Sequence, residues 1–241
     1  MLRPLVPLIL LAGASMAQAQ DRLAPFTENV LLHVITHEMG HAVIREFDLP
    51  ILAQEEVAAD QFATYYLHAT IPDRAGEIIR ARVASWMLEA DEESIFSDYE
   101  DDARRAGYTL CLLHGLDPDR YEGLPAEVGM TDRESAACRD AAPEIARSWR
   151  RILAPLAMPE DARVTEVTVD ADESRWRAAL QASEAGQLMV DTLTSIDWHS
   201  RITLRVAPCD GGAQWQRNGR TILVCDALID RFEGQAARAG P

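Results

Sequence analysis

Residues 37–64 carry the densest pattern of the chain and read HEMGHAVIREFDLPILAQEEVAADQFAT. Apolar residues recur at helical spacing over residues 27–47, which predicts a helix with Thr27 as its N-cap. Pro50 lies just beyond this run and predicts its end, because proline does not continue a helix. A second helix is predicted over residues 54–69. The segment between the two is short enough to fold the second helix back across the first.

Two histidines of the first helix are spaced to share one ligand. His37 and His41 are four positions apart, so their imidazoles lie one turn apart on the same helix face. Each imidazole can bind zinc through a ring nitrogen at about 2.0–2.1 Å. Glu38 directly follows the first histidine and would project beside the metal, where it could act as general base on a metal-bound water. The sequence therefore predicts His37 and His41 as metal ligands and Glu38 as the catalytic base.

The second helix supplies the third protein ligand that a catalytic zinc site normally has. Glu56 and Asp60 lie one turn apart on one face of this helix. Glu56 is the predicted ligand, and Asp60 would accept a hydrogen bond from the far nitrogen of a ligand histidine. Glu55 is the alternative ligand, but only Glu56 pairs with Asp60 at helical spacing. His33 continues the histidine stripe and is predicted to be a packed or surface residue.

The stretch of residues 37–64 resembles the gluzincin pattern, in which HExxH is followed by ExxAD or ExxxD. It resembles more closely a bacterial family of metallopeptidases catalogued as a domain of unknown function. Residues 111–118 and 209–225 also look like that family, so the resemblance covers most of the mature chain. At one position the chain departs from the family pattern, because Tyr99 stands where a histidine is expected. The resemblance implies a zincin-like core, zinc ligands at His37, His41 and Glu56, a base at Glu38 and a supporting role for Asp60.

The composition is that of an ordinary globular protein of 241 residues, 48% hydrophobic and 26% charged. Acidic residues outnumber basic residues 39 to 23, which gives a formal charge of −16. Such a chain is repelled by phosphate backbones, so a nucleic-acid partner is not expected. The chain contains no lysine, which excludes a Schiff-base lysine and a Walker-type phosphate loop.

Residues 1–19 are typical of a secretory signal peptide. Arg3 supplies the positive start, residues 5–12 form an apolar run, and residues 17–19 read AQA, a small-x-small cleavage pattern. The apolar run is shorter than the roughly 20 residues that span a bilayer. We therefore predict an exported bacterial protein, periplasmic or secreted, with no stable membrane insertion after signal removal.

Export to an oxidising compartment gives the four cysteines a structural use. Sequence alone does not choose their pairing. The pairs Cys111–Cys138 and Cys209–Cys225 are favoured, because each closes a local loop between predicted elements, which would stabilise the fold by roughly 3 kcal/mol. A zinc site of four thiolates is the rival interpretation, but the chain has no C-x-x-C spacing to support it.

The rest of the sequence predicts helices up to Pro155 and both helices and strands after it. The predicted helices cover residues 73–90, 101–113, 131–153 and 172–185, with an acidic loop at 91–100 and frayed residues at 234–241. The predicted strands cover residues 164–169, 202–206, 214–216 and 221–225, the last two joined as a hairpin by Asn218-Gly219. The fold class is therefore α+β: a mainly helical core over 20–155 that holds the metal site, and an α+β subdomain over 156–241 with a small hairpin or sheet.

The leading hypothesis is a zinc-dependent metallopeptidase with one zinc ion per chain and a peptide or protein substrate. The C-terminal strands would form one wall of the cleft and offer an edge to an extended substrate. Two alternatives remain open: a catalytically inactive zinc-binding scaffold protein of the cell envelope, and a zinc amidase that acts on a non-peptide amide. The candidate donors to the developing oxyanion are Tyr65, Tyr66, Tyr99, Tyr108, His114 and His199.

Overall fold

The structure is a computed structural model that describes residues 22–51, 54–89, 102–159, 162 and 166–239. The predicted signal peptide, the acidic loop at 91–100 and Tyr99 lie outside these residues. The described part is mainly helical with a small four-stranded sheet, so the predicted α+β class is confirmed.

Long helices fill the first part of the chain, and the sheet lies in the last part. The α-helices are α1 (Pro25–Glu46), α2 (Glu55–Thr70), α3 (Pro72–Glu89), α4 (Asp102–Leu116), α5 (Leu124–Glu127), α6 (Asp132–Leu153), α7 (Arg177–Ala182), α8 (Glu184–Thr194) and α9 (Asp226–Ala239). The strands are β1 (Val167–Asp170), β2 (Ile202–Ala207), β3 (Ala213–Gln216) and β4 (Thr221–Cys225). Among the described residues, no helix combines the length and apolar character that a membrane span needs.

Helix α1 lies at the centre of the fold. It contacts α2, α3, α8, α9 and strand β3, and nearly every residue from Val30 to Ile44 is buried. A helix enclosed on all sides is expected to be apolar all round, and most of this one is. His37 and Glu38 are therefore polar groups held inside the protein, where each needs a partner.

Helices α1 and α2 approach closely at Gly40. A Cβ atom at this position would lie 3.0 Å from Phe62 Cδ1 and 3.1 Å from Ala59 Cα. Both distances are below the optimal carbon–carbon separation of about 3.5–4.0 Å, so a larger residue would push the helices apart. Gly40 lies between His37 and His41, and the close contact holds both histidines against the start of α2.

The sheet has the strand order β1-β2-β4-β3. Strands β1, β2 and β4 are parallel neighbours, and β3 pairs antiparallel with β4, so β3 is an edge strand. One hydrophobic cluster joins Leu31 and Ile35 of α1 to Leu204 of β2 and Val224 of β4. The helical part and the C-terminal part therefore share a core, while the proposed boundary near residue 155 stays a prediction.

The predicted N-cap at Thr27 is wrong. Helix α1 begins at Pro25, Ala24 occupies the N-cap position without a side-chain cap, and Thr27 is buried inside the first turn. The fixed φ of proline suits the first position of a helix. Pro25 therefore starts the helix two residues before the side chain that could have capped it.

The predicted hairpin between β3 and β4 is present, but its turn differs from the one that Asn-Gly usually makes. Asn218 and Gly219 lie in a 3-10 turn at Arg217–Gly219, and the left-handed residue is Arg220, with φ of 45°. Four residues rather than two thus connect the strands.

The C-terminal end is helical where the sequence predicts fraying. Residues 234–239 belong to α9, which buries Leu228, Ile229 and Phe232 against the core. Gln235 is fully buried and donates from Nε2 to Glu89 Oε1 of α3 at 2.8 Å. Packing on one face stabilises this helix despite its small polar residues.

The helix predicted over residues 172–185 is replaced by two helices, α7 and α8. They are separated at Ser183, whose hydroxyl accepts from the Gly186 backbone N–H at 2.9 Å. Serine is a favoured N-cap because its side chain satisfies a free amide of the first turn. The chain therefore starts a new helix at this point.

Two disulfides join neighbouring elements. Cys111 of α4 is bonded to Cys138 of α6, and Cys209 is bonded to Cys225 at the end of β4. These are the pairs that the sequence favours, and no cysteine of the described chain is free. Both bonds lie after α1 in the sequence, and they join residues that are 27 and 16 positions apart.

Candidate metal centre

Three side chains from α1 and α2 meet at one point. His37 Nε2 and His41 Nε2 lie 3.1 Å apart. Glu56 of α2 faces both, with Oε2 at 3.2 Å from His37 Nε2 and Oε1 at 3.3 Å from His41 Nε2. The structure thus brings together the three residues predicted as metal ligands, and they form the one group of potential metal ligands among the described residues.

The spacing of these atoms suits a small tetrahedral ion. Zinc bonds of about 2.05 Å at tetrahedral angles place neighbouring ligand atoms about 3.3 Å apart. The two imidazole nitrogens are 3.1 Å apart, and each has a different Glu56 oxygen at 3.2 or 3.3 Å, so each contact is close to this spacing. One ligand atom from each of the three residues can be chosen so that all lie within 4.8 Å of one another. Two imidazoles and one carboxylate are also the donor set of one group of catalytic zinc sites, which leave a fourth position open. The residues present therefore fit a zinc ion in the chemistry of their donor atoms and lie close enough together to hold one.

A carboxylate lies behind each histidine. Asp60 Oδ1 is 2.8 Å from His37 Nδ1, and Glu55 Oε1 is 2.9 Å from His41 Nδ1. Contacts to the outer nitrogen fix the orientation of a ligand imidazole and leave Nε2 to face the ion. Asp60 thus lies where the sequence predicts it. Glu55, weighed as an alternative ligand, lies on the far side of His41 instead.

An arginine holds each of these carboxylates. Arg105 of α4 donates from Nε to Asp60 Oδ2 at 2.8 Å and from Nη2 to Oδ1 at 2.9 Å. Arg45 of α1 donates from Nε to Glu55 Oε1 at 2.9 Å and also contacts Oε2. Sequence reasoning missed both arginines. Arg45 could have been found, because it lies one turn beyond His41 on the same helix, whereas Arg105 has no local signal.

The pKa shifts of the site follow from these contacts. Burial alone would raise the pKa of Glu56, but hydrogen bonds with His37 and His41 hold it well below its usual range. Burial would likewise raise the pKa of Asp60, and the charges and hydrogen bonds of His37 and Arg105 keep it low. Burial lowers the pKa of His37, and Asp60 more than reverses that effect. Both carboxylates therefore stay ionised. They stabilise a positive charge beside them, either on a protonated histidine or on a metal ion.

Glu38 lies on the cleft side of α1 and is 7% exposed. Burial raises the pKa of its carboxyl, although the neighbouring His37 and His41 and a hydrogen bond from the Trp215 backbone oppose the shift. A raised pKa makes a carboxylate a stronger base. Glu38 is thus a buried basic group next to the three donor atoms.

A cleft with a volume of about 380 Å³ opens over this site. It is lined by Glu38, His41, Arg45, Glu55, Glu56, Ala213, Gln214, Trp215 and Arg217. Helices α1 and α2 form one wall, and the edge strand β3 with the turn after it forms the other. The Trp215 amide points towards Glu38 and therefore away from β4.

The described candidate oxyanion donors all lie away from this cleft. The Tyr66 hydroxyl bonds to Ser195, His114 Nε2 contacts the Ser135 hydroxyl at 2.9 Å, and Tyr108 is exposed on α4. The two others are Tyr65, half-buried against the core, and His199, whose ring is tilted against that of Phe47. Tyr99 lies outside the described residues. His33 is buried and packs on Trp86. A packed residue is one of the two environments predicted for it, the other being the surface.

The fold is mainly helical α+β, and its HExxH sequence and Glu56 form a group that could hold a metal ion. A protein-family model described as "Putative metallopeptidase" matches residues 11–153, which is more than half of the chain. The chain belongs to this family. The matched range includes α1 to α6 and therefore the whole donor set, whereas the sheet lies beyond it. Comparisons with curated proteins and with solved structures found no match.

Proposed function

We propose that the protein is an exported zinc-dependent peptidase whose ion is held by His37, His41 and Glu56. The observation that carries the proposal is that the Nε2 atoms of His37 and His41 lie 3.1 Å apart and each faces a carboxylate oxygen of Glu56 at 3.2–3.3 Å. Membership of a metallopeptidase family supports it. The two disulfides support export to an oxidising compartment, and the N-terminal pattern at residues 1–19 supports removal of a signal peptide.

A zinc ion bound there would polarise the scissile carbonyl and lower the pKa of the attacking water. The protein supplies the proton transfer. Glu38 takes a proton from the water as its oxygen bonds to the carbonyl carbon, and then gives that proton to the amide nitrogen as the C–N bond breaks. The raised pKa of Glu38 suits both steps. The products are a new carboxylate and a free amine.

Strand β3 is the proposed support for the substrate. It pairs with β4 on one side only, and its other side faces the cleft. An extended peptide can bind such an edge through main-chain hydrogen bonds and add a strand to the sheet. The Trp215 amide, which contacts Glu38, would place the bound peptide bond close to the base.

The test is to load the mature protein with zinc, measure the zinc content, and screen a neutral peptide library for cleavage. Glu38→Gln should retain zinc and lower kcat by roughly 10²–10⁴-fold, because it removes the base and no ligand. Glu28→Gln makes the same change at the start of α1 and should keep both properties. His41→Ala and Glu56→Gln should lose zinc as well as activity.

The alternatives give different results in the same experiment. Full turnover by Glu38→Gln would contradict its role as the base. Stoichiometric zinc without turnover of any peptide would favour the inactive scaffold, and turnover of non-peptide amides alone would favour the amidase.

A further inference from the structure

The cleft contains two arginines, and they differ in what holds them. Arg45 is bound by both carboxylate oxygens of Glu55. Arg217 follows the edge strand β3, is exposed, and forms no ion pair with any residue that the structure describes. Arg217 is therefore a cation of the cleft wall that is available to a ligand. Its guanidinium can bind a carboxylate with two parallel hydrogen bonds.

The charge of the cleft favours an anionic ligand once the metal site is loaded. Three carboxylates line it, those of Glu38, Glu55 and Glu56. Arg45, Arg217 and a divalent cation together exceed these charges, so the loaded cleft is positive within a chain of formal charge −16. Charges farther away are screened over about 8 Å at physiological salt, so the local groups decide which ligand binds.

Arg217 also lies at a suitable distance along the wall. It is two residues beyond Trp215, whose backbone contacts Glu38. At about 3.3 Å per residue of extended chain, two residues span roughly 7 Å. A peptide laid along β3 with its scissile bond near Glu38 would thus bring a side chain or terminus within two residues of that bond to Arg217.

A second cavity of about 220 Å³ begins where the cleft ends. Arg45, Glu55 and Arg217 line both spaces, and the second also has the apolar residues Ile44, Leu49 and Ile51. Asp48 lines only this second cavity, so a carboxylate is better placed on the cleft side of Arg217. The second cavity has room for the apolar part of the same substrate.

We propose that Arg217 forms a carboxylate-binding subsite and that the substrates are peptides with a carboxylate within two residues of the scissile bond. This inference rests on the proposed peptidase function. The carboxylate can be an Asp or Glu side chain or the C-terminus of the peptide. Either source offers the same pair of oxygens to the guanidinium.

The experiment measures kcat/KM of the zinc-loaded mature protein on a neutral peptide and on versions with Glu in place of Gln at each position around the cleaved bond. A second arm compares the free C-terminal acid with its amide. At one position, or for the free acid, kcat/KM should rise about tenfold through a charge-assisted hydrogen bond. The arm that responds identifies the source of the carboxylate.

Arg217→Gln should bring the ratio of kcat/KM for the acidic and neutral peptides close to one. The matched control is Arg220→Gln, which removes the same charge three residues away. Arg220 is paired with Glu46 at 2.9 Å and does not line the cleft, so its removal should leave the ratio unchanged. A ratio near one in the unmodified protein, or a ratio that survives Arg217→Gln, would overturn the subsite.

A binding measurement separates this inference from the proposed function. Labelled Glu and Gln peptides are titrated into zinc-loaded Glu38→Gln protein, with and without Arg217→Gln, and Kd is read by fluorescence anisotropy. A roughly tenfold preference for the Glu peptide that depends on Arg217 supports the subsite even if no peptide is ever cleaved. Equal affinities overturn the subsite, whether or not the protein is a peptidase.

Discussion

The two histidines of the candidate metal centre are supported by similar chains of contacts in different surroundings. His37 contacts Asp60, which is bound by Arg105. These three residues form the buried chain of contacts, and each of their side chains is at most 10% exposed. His41 contacts Glu55, which is bound by Arg45. These three residues form the rim chain of contacts, and the Arg45 side chain is 48% exposed. The same histidine, carboxylate and arginine chemistry thus occurs once inside the protein and once at its rim.

This difference in burial should decide how much each chain of contacts contributes to the stability of the fold and to the positioning of its histidine. At the rim, water solvates either charge when its partner is removed, so an ion pair there is worth about 0–1 kcal/mol. Inside the protein, removing one partner leaves a charge that water does not reach, which costs about 3–5 kcal/mol. We therefore expect the buried chain to fix the fold and the first histidine, and the rim chain to adjust the second histidine only slightly.

The largest effect is expected for Asp60→Asn. The amide keeps the shape of the side chain but removes the charge that Arg105 binds through two hydrogen bonds. The free energy of unfolding of the zinc-free protein, measured in urea with the disulfides intact, should fall by about 3 kcal/mol or more. Glu55→Gln makes the equivalent change in the rim chain and should cost less than about 1 kcal/mol. Equal losses in the two variants would mean that burial does not distinguish the chains.

The next effect concerns zinc affinity. Arg105→Gln leaves all three donor residues in place but removes the group that orients Asp60 behind His37. Loss of such outer support typically weakens metal binding by about 10–100-fold, which competition with a chromophoric chelator would measure. Arg104→Gln is the matched control, because Arg104 is the exposed neighbour on the same helix. If both variants bind zinc as the unmodified protein does, Arg105 has no positioning role.

The grouping of His37, His41 and Glu56 could be predicted because its geometry is local. His37 and His41, and likewise Glu56 and Asp60, are pairs four positions apart, and a helix turns that spacing into a shared face. The short loop between α1 and α2 then leaves few ways to arrange the two pairs. Glu55 shows the limit of this reasoning, since neighbouring glutamates look alike in sequence and only the direction of each side chain separates ligand from support.

The features of the site and fold that the sequence did not predict depend on contacts between distant parts of the polypeptide. Arg105 is 45 residues from Asp60, and no spacing rule connects α4 with α2. The parallel pairing of β2 with β4 also joins segments that are not consecutive strands, which alternation within each strand does not specify. Helix α9 forms because its apolar face meets the core, an effect that its Gly, Ala and Gln residues conceal.

A smaller effect is expected from His33, and it tests whether a buried histidine near the site stays uncharged in the folded protein. His33 is 1% exposed against Trp86, and burial, followed by the charge of Arg82, holds its pKa well below its usual range. Below about pH 6.5 the unfolded chain binds a proton at this histidine and the folded chain does not. Stability should therefore fall as the pH falls from about 6.5 to 5, by up to about 1.4 kcal/mol per pH unit from this group.

His33→Phe removes the titrating group and keeps a buried ring of similar size. The pH dependence of its unfolding free energy should be flatter than that of the unmodified protein over this range, in urea titrations at matched pH values. The contributions of His37 and His41 are common to both proteins and cancel in the comparison. Parallel curves for the two proteins would show that His33 is protonated in the folded state.

The smallest effect is expected for Arg45→Gln, the variant of the rim chain. Glu55 loses its arginine but keeps the His41 Nδ1 contact at 2.9 Å, and at 19% exposure of its side chain it retains some access to water. Zinc affinity should change by less than about fivefold, since exposed ion pairs contribute about 0–1 kcal/mol. Raising the salt concentration screens the same pair, so the difference between the two proteins should shrink further in 1 M salt, where the screening length is about 3 Å. An effect of Arg45→Gln on zinc binding as large as that of Arg105→Gln, and insensitive to salt, would show that the rim chain is as closely coupled to the ion as the buried one.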